Sequence, residues 1–170
     1  SLQMQPSTGV AYGVYHYVNV SKDYEFLFGH GAEMLVEICR YLATRGQWDA
    51  QGKHFGYYAV MGPDEFQMMV NHNTYTNYMA KKTLLYTVET IAKMPKGKRV
   101  ALAKKVGLKK EEIALWKTLA CKMKILYDKK TMLYEQHEGF YSLPHIDVDE
   151  IPDSDFPLYS HWSYDRIYRN

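Results

Sequence analysis

Apolar residues recur at helical spacing through the first 45 positions of the chain. Intervals of three and four residues separate the apolar positions of the first stripe, which are Val10, Ala11, Val14, Tyr15 and Val18. This spacing predicts a helix that opens after residues 6–8, where a hydroxyl can cap it, and ends near Asn19. A short helix over 24–28 is predicted next. The glycine-containing residues 29–31 are expected to separate it from a stronger helix that closes at 45–46.

A run of β-preferring residues interrupts the helical pattern. Residues 54–61 read HFGYYAVM, and they are bounded by Gly52 on one side and by Gly62 and Pro63 on the other. A run of this kind between turn-forming residues predicts a β-strand that enters a turn.

Helical spacing returns after this turn. Asn73 is a suitable cap for a helix that reaches about residue 92, and two further helices are predicted at about 97–106 and 109–126. A stretch rich in Pro and Asp over 144–157 is expected to form a long surface loop. The predicted fold class is therefore all-α, with a short β-strand or hairpin and with long loops that build a pocket at one end.

Composition narrows the class of protein without identifying it. The 170 residues suit one ordinary domain, and 46% hydrophobic with 24% charged residues is typical of globular proteins, which excludes disordered, collagen-like and coiled-coil chains. The 16 tyrosines raise the aromatic content to 15%. Amphipathic rings at this density suit a cleft for polar, ring-shaped ligands, and they equally suit an ordinary tyrosine-rich core and surface.

Positive charge is concentrated in one segment. Residues 93–130 contain 13 Lys and Arg against three acids, a net charge of +10, whereas the rest of the chain carries −8. Such a segment can bind nucleic acid. Here the lysines alternate with apolar residues at helical spacing, which indicates the solvated face of amphipathic helices, and we predict no nucleic-acid partner.

Cysteine usage and hydropathy give expectations about location. Cys39 and Cys121 lie in apolar helical surroundings without a CxxC pair or a histidine at ligand spacing, so neither a disulfide framework nor a metal site is predicted. Both thiols are expected to be buried in a cytoplasmic protein. No apolar run approaches the roughly 18 residues that a membrane span requires, so no membrane association is expected.

The most chemically suggestive run is GPDEF at residues 62–66. Gly62 and Pro63 predict a sharp turn that presents the adjacent carboxylates of Asp64 and Glu65 on a loop. One of them is a candidate general acid, because a carboxyl with a raised pKa protonates the departing oxygen when a glycosidic bond breaks, and an aromatic-lined cleft raises that pKa. Spacing alone leaves open that both carboxylates merely cap a turn.

Other candidate residues carry weaker signals. His72 and His161 lie in predicted loops, where a histidine is more often a hydrogen-bonding residue than a ligand. Glu33 and Glu37 lie one helical turn apart, which suits either a metal or acid–base pair, or ion pairs with a nearby arginine such as Arg40.

Longer segments of the chain resemble a known family. The run GPDEFQMMVNHNTYTNYMA is very similar to the GPDEY…NNxYTN..A signature of glycoside hydrolase family 65, which contains maltose, trehalose, kojibiose and nigerose phosphorylases. Further runs resemble other family segments in the same order: YEFLFGHGAEMLVEICRYLATR, YEQHEGFYSLPHID and PLYSHWSYDRI. The resemblance implies that residues 1–170 form a single partial domain, a central part of an (α/α)6 catalytic barrel.

The resemblance also implies a reaction. Family members that are inverting α-glucoside phosphorylases cleave an α-linked glucose disaccharide with inorganic phosphate and release β-glucose 1-phosphate. By position in the motif, Glu65 matches the general acid, and Asp64, Asn73, Tyr75 and Asn77 match residues expected beside the substrate. Phosphate is a co-substrate, no cofactor or metal is implied, and the whole protein is expected to be a homodimer.

Several positions depart from the family pattern. Gln5 and Gly9 stand where many members have His and Asp, and Phe66 and His72 stand where Tyr and Asn are usual. The sugar and acceptor specificity is therefore expected to differ from that of typical members. The Trp-Asp sugar-binding motif and the phosphate site are expected outside these residues, so the isolated chain is expected to be inactive.

Two alternatives remain at this stage. One is a family 65 hydrolase similar to the acid trehalases, in which a carboxylate outside this chain activates water. The other is a noncatalytic, carbohydrate-binding helical module that keeps the aromatic cleft and does not need Glu65.

Overall fold

The computed structural model describes residues 2–168, which form a helical fold with two small β-hairpins. The α-helices are α1 (Gln5–Ser21), α2 (Tyr24–Phe26), α3 (Ala32–Arg45), α4 (Thr74–Lys93), α5 (Lys96–Val106), α6 (Lys110–Lys122), α7 (Leu158–His161) and α8 (Tyr164–Tyr168). A π-helical turn, Leu27–Gly31, joins α2 to α3. The strands pair antiparallel as β1 (Gln47–Trp48) with β2 (Phe55–Gly56) and β3 (Tyr127–Asp128) with β4 (Leu133–Tyr134). The predicted all-α class is confirmed.

Helix α4 is the centre of the fold. It packs against α1, α3 and α6, and the apolar side chains of the shared core include Leu42, Leu84, Trp116 and Leu119. Its buried face also carries threonines that donate to main-chain carbonyl oxygens one turn earlier, such as Thr83 Oγ1 to Met79 O at 2.9 Å. These hydroxyls are satisfied inside the helix, so a partly polar helix can occupy the core.

The position of α4 is fixed at its first turn. Asn73 Oδ1 accepts hydrogen bonds from the Thr76 amide at 3.0 Å and the Thr76 hydroxyl at 2.9 Å, which confirms Asn73 as the predicted cap. The Asn73 side chain packs directly on Gly62, where a Cβ would lie 2.3 Å from Asn73 Nδ2. Glycine at residue 62 is therefore required by a close approach between the GPDEF turn and the start of α4.

The start of α1 differs from the prediction. The helix begins at Gln5, with Pro6 in its first turn, and no side chain caps it. The Thr8 hydroxyl donates to Gln5 O within the helix instead of capping its end. Proline fits the first turn because its missing N–H is one of the donors that a helix start leaves unpaired anyway.

The predicted break at residues 29–31 is confirmed. Gly29 lies within the π turn with φ −106° and ψ −110°, which is outside the helical region, so the chain is kinked between α2 and α3. A Cβ on the buried Gly31 would lie 3.2 Å from Phe26 O, which is tighter than an ordinary contact. The two glycines therefore permit the kink and a close approach of the main chain beside it.

The predicted strand over 54–61 is much shorter than expected. Pairing with β1 stops at Gly56, and Val60 and Met61 form only isolated bridges, with Val70 and Gln3 respectively. Ala59 has a positive φ of 51°, which turns the chain out of the extended conformation. The β3–β4 hairpin was not predicted, and the expected loop over 144–157 contains short 3₁₀ turns at Val148–Glu150 and Asp153–Asp155.

Several lysines of the basic segment pair with acids of the preceding helices. Lys105 Nζ lies 2.6 Å from Glu33 Oε1, and Lys98 pairs with Glu25. The expectation of two buried thiols holds for Cys39, whereas Cys121 is exposed. Within residues 2–168, every helix falls short of the length or the apolar character needed to cross a bilayer.

Two leucines on α6 provide a matched test of the core. Leu119 is 2% exposed and packs in the core, whereas Leu115 is 46% exposed on the same helix. Leu119→Ala should lower the free energy of unfolding by about 2–5 kcal/mol because it leaves a cavity. Leu115→Ala should change it by about 0.5 kcal/mol or less. Urea unfolding of the two variants measures the difference, and equal losses would contradict the assigned core.

Two glycines provide a matched test of the contact between residue 62 and Asn73. Gly62→Ala should lower the free energy of unfolding by about 1–3 kcal/mol because the added methyl displaces the α4 cap. Gly13→Ala should raise it by about 0.5–1 kcal/mol, because a Cβ at this helical position meets nothing within 4 Å. Thermal unfolding measures both effects. An unchanged free energy of unfolding for Gly62→Ala would mean that the close approach does not constrain the turn.

Candidate active site

Three segments that are distant in the sequence meet at the GPDEF turn. The first is the N-terminal stretch 2–5, the second is the acid turn, by which we mean residues 62–67, and the third is the strap, by which we mean residues 134–138. Met61 N donates to Leu2 O at 3.0 Å, and Gln5 Nε2 donates to Gly62 O at 3.2 Å. The N-terminal stretch therefore fixes the residues that lead into the acid turn.

Asp64 closes the acid turn upon itself. Its Oδ1 accepts from the Phe66 amide at 3.0 Å, and its main-chain oxygen accepts from the Gln67 amide at 3.3 Å. Its second carboxylate oxygen, Oδ2, accepts from Gln136 Nε2 at 2.7 Å. Both oxygens of Asp64 therefore hold the turn in shape, as expected for an Asp that initiates a turn.

Glu65 projects from the turn that Asp64 closes. Its side chain is exposed, and its Oε1 accepts a hydrogen bond from Gln3 Nε2 at 2.8 Å. The carboxyl is thus oriented by an amide from the N-terminal stretch and remains accessible to a reacting molecule. An accessible carboxyl can exchange a proton with a molecule bound beside it.

The strap ties the acid turn to the start of α4. Gln136 O accepts from the Thr74 amide at 2.9 Å and from Asn73 Nδ2 at 3.3 Å. Glu135 O accepts from the Thr74 hydroxyl at 2.6 Å, and the Glu138 amide donates to Asn71 O at 3.0 Å. The strap thereby supplies partners for polar groups of the loop and the helix start.

A cavity of about 590 Å³ opens beside the acid turn. Its walls include the rings of Tyr75, Tyr78 and Tyr134, and its polar edge includes Asp64 and Gln136. Tyr75 and Tyr134 are about half exposed. Aromatic faces next to amide and carboxylate groups suit a ligand that has both apolar faces and hydroxyls, such as a sugar.

The structure brings together most of the predicted site residues. Asp64, Asn73 and Tyr75 line the cavity, whereas Glu65, the next residue after Asp64 in the sequence, is not among its lining residues. Asn73 is buried, and its amide group is engaged in capping α4 and in the bond to the strap. The substrate-binding role predicted for Asn73 stays a prediction.

Asn77 does not line this cavity, and its predicted place beside the substrate stays a prediction. It is fully buried on α4, and its Nδ2 donates to Lys124 O at 2.7 Å. Residue 77 lies one helical turn after Asn73, on the face of α4 that meets the end of α6. Its amide therefore joins two structural elements.

The weaker candidates from the sequence were two histidines and a pair of glutamates, and the structure shows what surrounds each of them. His72 is buried against Tyr58 with ring centroids 4.6 Å apart, and burial lowers its pKa, so the ring is neutral near neutral pH. His161 is exposed. Glu37 and Glu33 form ion pairs, the former with Arg40 at 2.6 Å. Over residues 2–168 no cluster of three or more His, Cys, Asp or Glu side chains is arranged to hold a metal ion.

The residue pattern did not single out two groups that contact the acid turn. Gln3 and Gln136 reach it from 62 and 72 residues away. Gln136 lies in the family-like run YEQHEGF, which was the only signal that could have drawn attention to it.

The chain is similar to proteins of known name along nearly its whole length. Residues 2–170 match the model of the glycosyl hydrolase family 65 central catalytic domain. The chain is 38% identical to the alpha,alpha-trehalose phosphorylase of Thermoanaerobacter brockii, over 98% of this chain and 22% of that protein. It is 30% identical to the kojibiose phosphorylase of Caldanaerobacter subterraneus subsp. tengcongensis, over 93% of this chain and 21% of that protein.

A solved structure has the same fold. A human-microbiome protein provisionally described as a kojibiose phosphorylase matches with a TM-score of 0.91 and 49% identity, over 97% of this chain and 24% of that one. This agreement is consistent with part of an (α/α)6 barrel. The chain spans about a fifth of the length of the curated relatives it matches. The matched model and these relatives together show that the chain belongs to glycosyl hydrolase family 65, with residues 2–170 matching its central catalytic domain.

Proposed function

We propose that the protein containing this chain is an inverting α-glucoside phosphorylase in which Glu65 is the general acid. The observation that carries the proposal is the exposed Glu65 carboxyl, oriented by Gln3 on a turn closed by Asp64, in a chain of family 65. Relatives named trehalose, maltose and kojibiose phosphorylases support a reaction between an α-linked glucose disaccharide and inorganic phosphate.

The reaction is a single displacement at the anomeric carbon. Glu65 donates its proton to the glycosidic oxygen while the bond from that oxygen to C1 breaks, and the departing sugar leaves as an alcohol. A phosphate oxygen attacks C1 from the opposite face, so an α-glucoside gives β-glucose 1-phosphate. Hydrogen phosphate loses its own proton when the phosphate ester forms. Solvent carries a proton back to Glu65, which replaces the one given to the departing sugar.

The remaining site residues have separate tasks in this proposal. Tyr75 offers an exposed ring at the cavity wall for contact with a sugar face. Asp64 lines the same cavity, and each carboxylate oxygen keeps acceptor capacity beyond its bond within the protein. Phosphate is a co-substrate, and we propose no organic cofactor. The homodimer and the cytoplasmic location stay predictions.

A charge-removing variant tests the assignment of the acid. In the full-length protein, Glu65→Gln should lower kcat for phosphorolysis of an α-linked disaccharide by about 10²–10⁴-fold, because the amide cannot donate a proton to the leaving oxygen as a carboxylic acid does. Release of glucose 1-phosphate measures the rate. Glu111→Gln, which removes an exposed carboxylate on α6, is the matched control and should leave the rate unchanged. Full turnover by Glu65→Gln would refute the role of Glu65.

A further inference from the structure

The two side chains at the centre of the strap both contact the acid turn. Gln136 Nε2 donates to Asp64 Oδ2 at 2.7 Å, and His137 Nε2 lies 2.9 Å from Gln67 Oε1. The two contacted residues, 64 and 67, lie on either side of Glu65. The strap therefore holds the acid turn both before and after the residue that we assign as the acid.

The contact at residue 67 is buried. Gln67 and His137 are each 5% exposed, and the second ring nitrogen of His137, Nδ1, lies 3.1 Å from Glu138 O. The imidazole also packs edge-on against Phe140, with ring centroids 5.4 Å apart. Both ring nitrogens thus face an oxygen acceptor, and a neutral imidazole donates to one of them, while burial and the aromatic neighbour also hold the ring in place.

Hydrogen bonds of its main-chain groups hold the strap in place. Its bonds to Thr74, Asn73 and Asn71 connect it to the start of α4 and to the end of the loop that begins with the acid turn. Because α4 lies at the centre of the core, these bonds fix the strap relative to the core. The strap in turn fixes the acid turn.

We infer that Gln136 and His137 are positioning residues for the general acid, which they hold in place through Asp64 and Gln67. This inference rests on the proposed function of Glu65. Proton donation requires the carboxyl to lie within hydrogen-bond reach of the leaving oxygen, and a misplacement of about 1 Å can cost about 100-fold in rate. Removal of the Gln136 amide leaves Asp64 Oδ2 without its partner in the strap, so the turn that carries Glu65 can shift.

A substrate whose leaving group needs no protonation separates this role from a general effect on folding. The experiment compares phosphorolysis of an α-linked disaccharide with that of α-glucosyl fluoride by the full-length protein, because fluoride departs with little help from an acid. Gln136→Ala should lower kcat on the disaccharide by about 10–100-fold, with KM little changed, and should lower kcat on the fluoride by about threefold or less.

Three companion variants make the result decisive. Glu65→Gln should show the same selectivity with a larger loss on the disaccharide, about 10²–10⁴-fold. His137→Phe keeps a ring beside Phe140 but removes both nitrogens, and it should reproduce the selective loss independently if Gln136→Ala does not fold. Gln51→Ala, in an exposed turn, is the matched control and should leave both rates unchanged.

The outcomes separate the two proposals. Selective loss in Glu65→Gln together with equal losses on both substrates, or no loss, in Gln136→Ala and His137→Phe would overturn the positioning role and leave the acid assignment in place. A Glu65→Gln variant without selective loss would refute the proposed function itself. Selective loss in the strap variants, with thermal unfolding close to that of the unmodified protein, would support the inference.

Discussion

The position of Glu65 depends on hydrogen bonds that join the acid turn to segments far away in the sequence. A carboxyl on a surface loop can donate a proton efficiently only if the loop is fixed relative to the substrate, and the internal bonds of the acid turn fix its shape but not its position in the protein. Gln3 contacts Glu65 directly, and Gln136 contacts Asp64. Glu65 is thus both accessible and oriented.

The helical core serves this arrangement by fixing one end of the loop. Helix α4 is packed on three sides, so the place of its cap, Asn73, is determined by the core. Asn73 in turn excludes any side chain larger than that of glycine at residue 62 and binds the strap through its amide. The core therefore fixes α4, and the cap of α4 contacts both the acid turn and the strap. The position of Glu65 depends on this series of contacts.

The part of the fold that could be predicted from the sequence is the part in which local signals agree. For α4, the cap at Asn73 and the apolar stripe point to the same helix, and the observed element ends within one residue of the prediction. At residues 29–31 the glycines indicate the break correctly, because Gly29 leaves the helical region between α2 and α3. The strand predicted over 54–61 is too long, because the run of β-preferring residues carries no sign of the positive φ at Ala59, where the chain leaves the extended conformation.

The candidate site shows the same limit. Gly62 and Pro63 predict the turn, and the family-like motif indicates Glu65 within it. The contact of Gln136 with Asp64 spans 72 residues and is created by the fold alone, so no local pattern could reveal it. Asn77 illustrates the same limit, because the sequence alone could not show that its Nδ2 donates to Lys124 O.

The central claim is a single displacement that uses phosphate and inverts the anomeric carbon. NMR of the first-formed product, recorded with and without inorganic phosphate, tests it most directly on the full-length protein with α-linked substrates such as trehalose, kojibiose, nigerose and maltose. The account predicts β-glucose 1-phosphate from at least one of them, and only when phosphate is present. Formation of α-glucose 1-phosphate, or release of glucose at the same rate without phosphate, would contradict it.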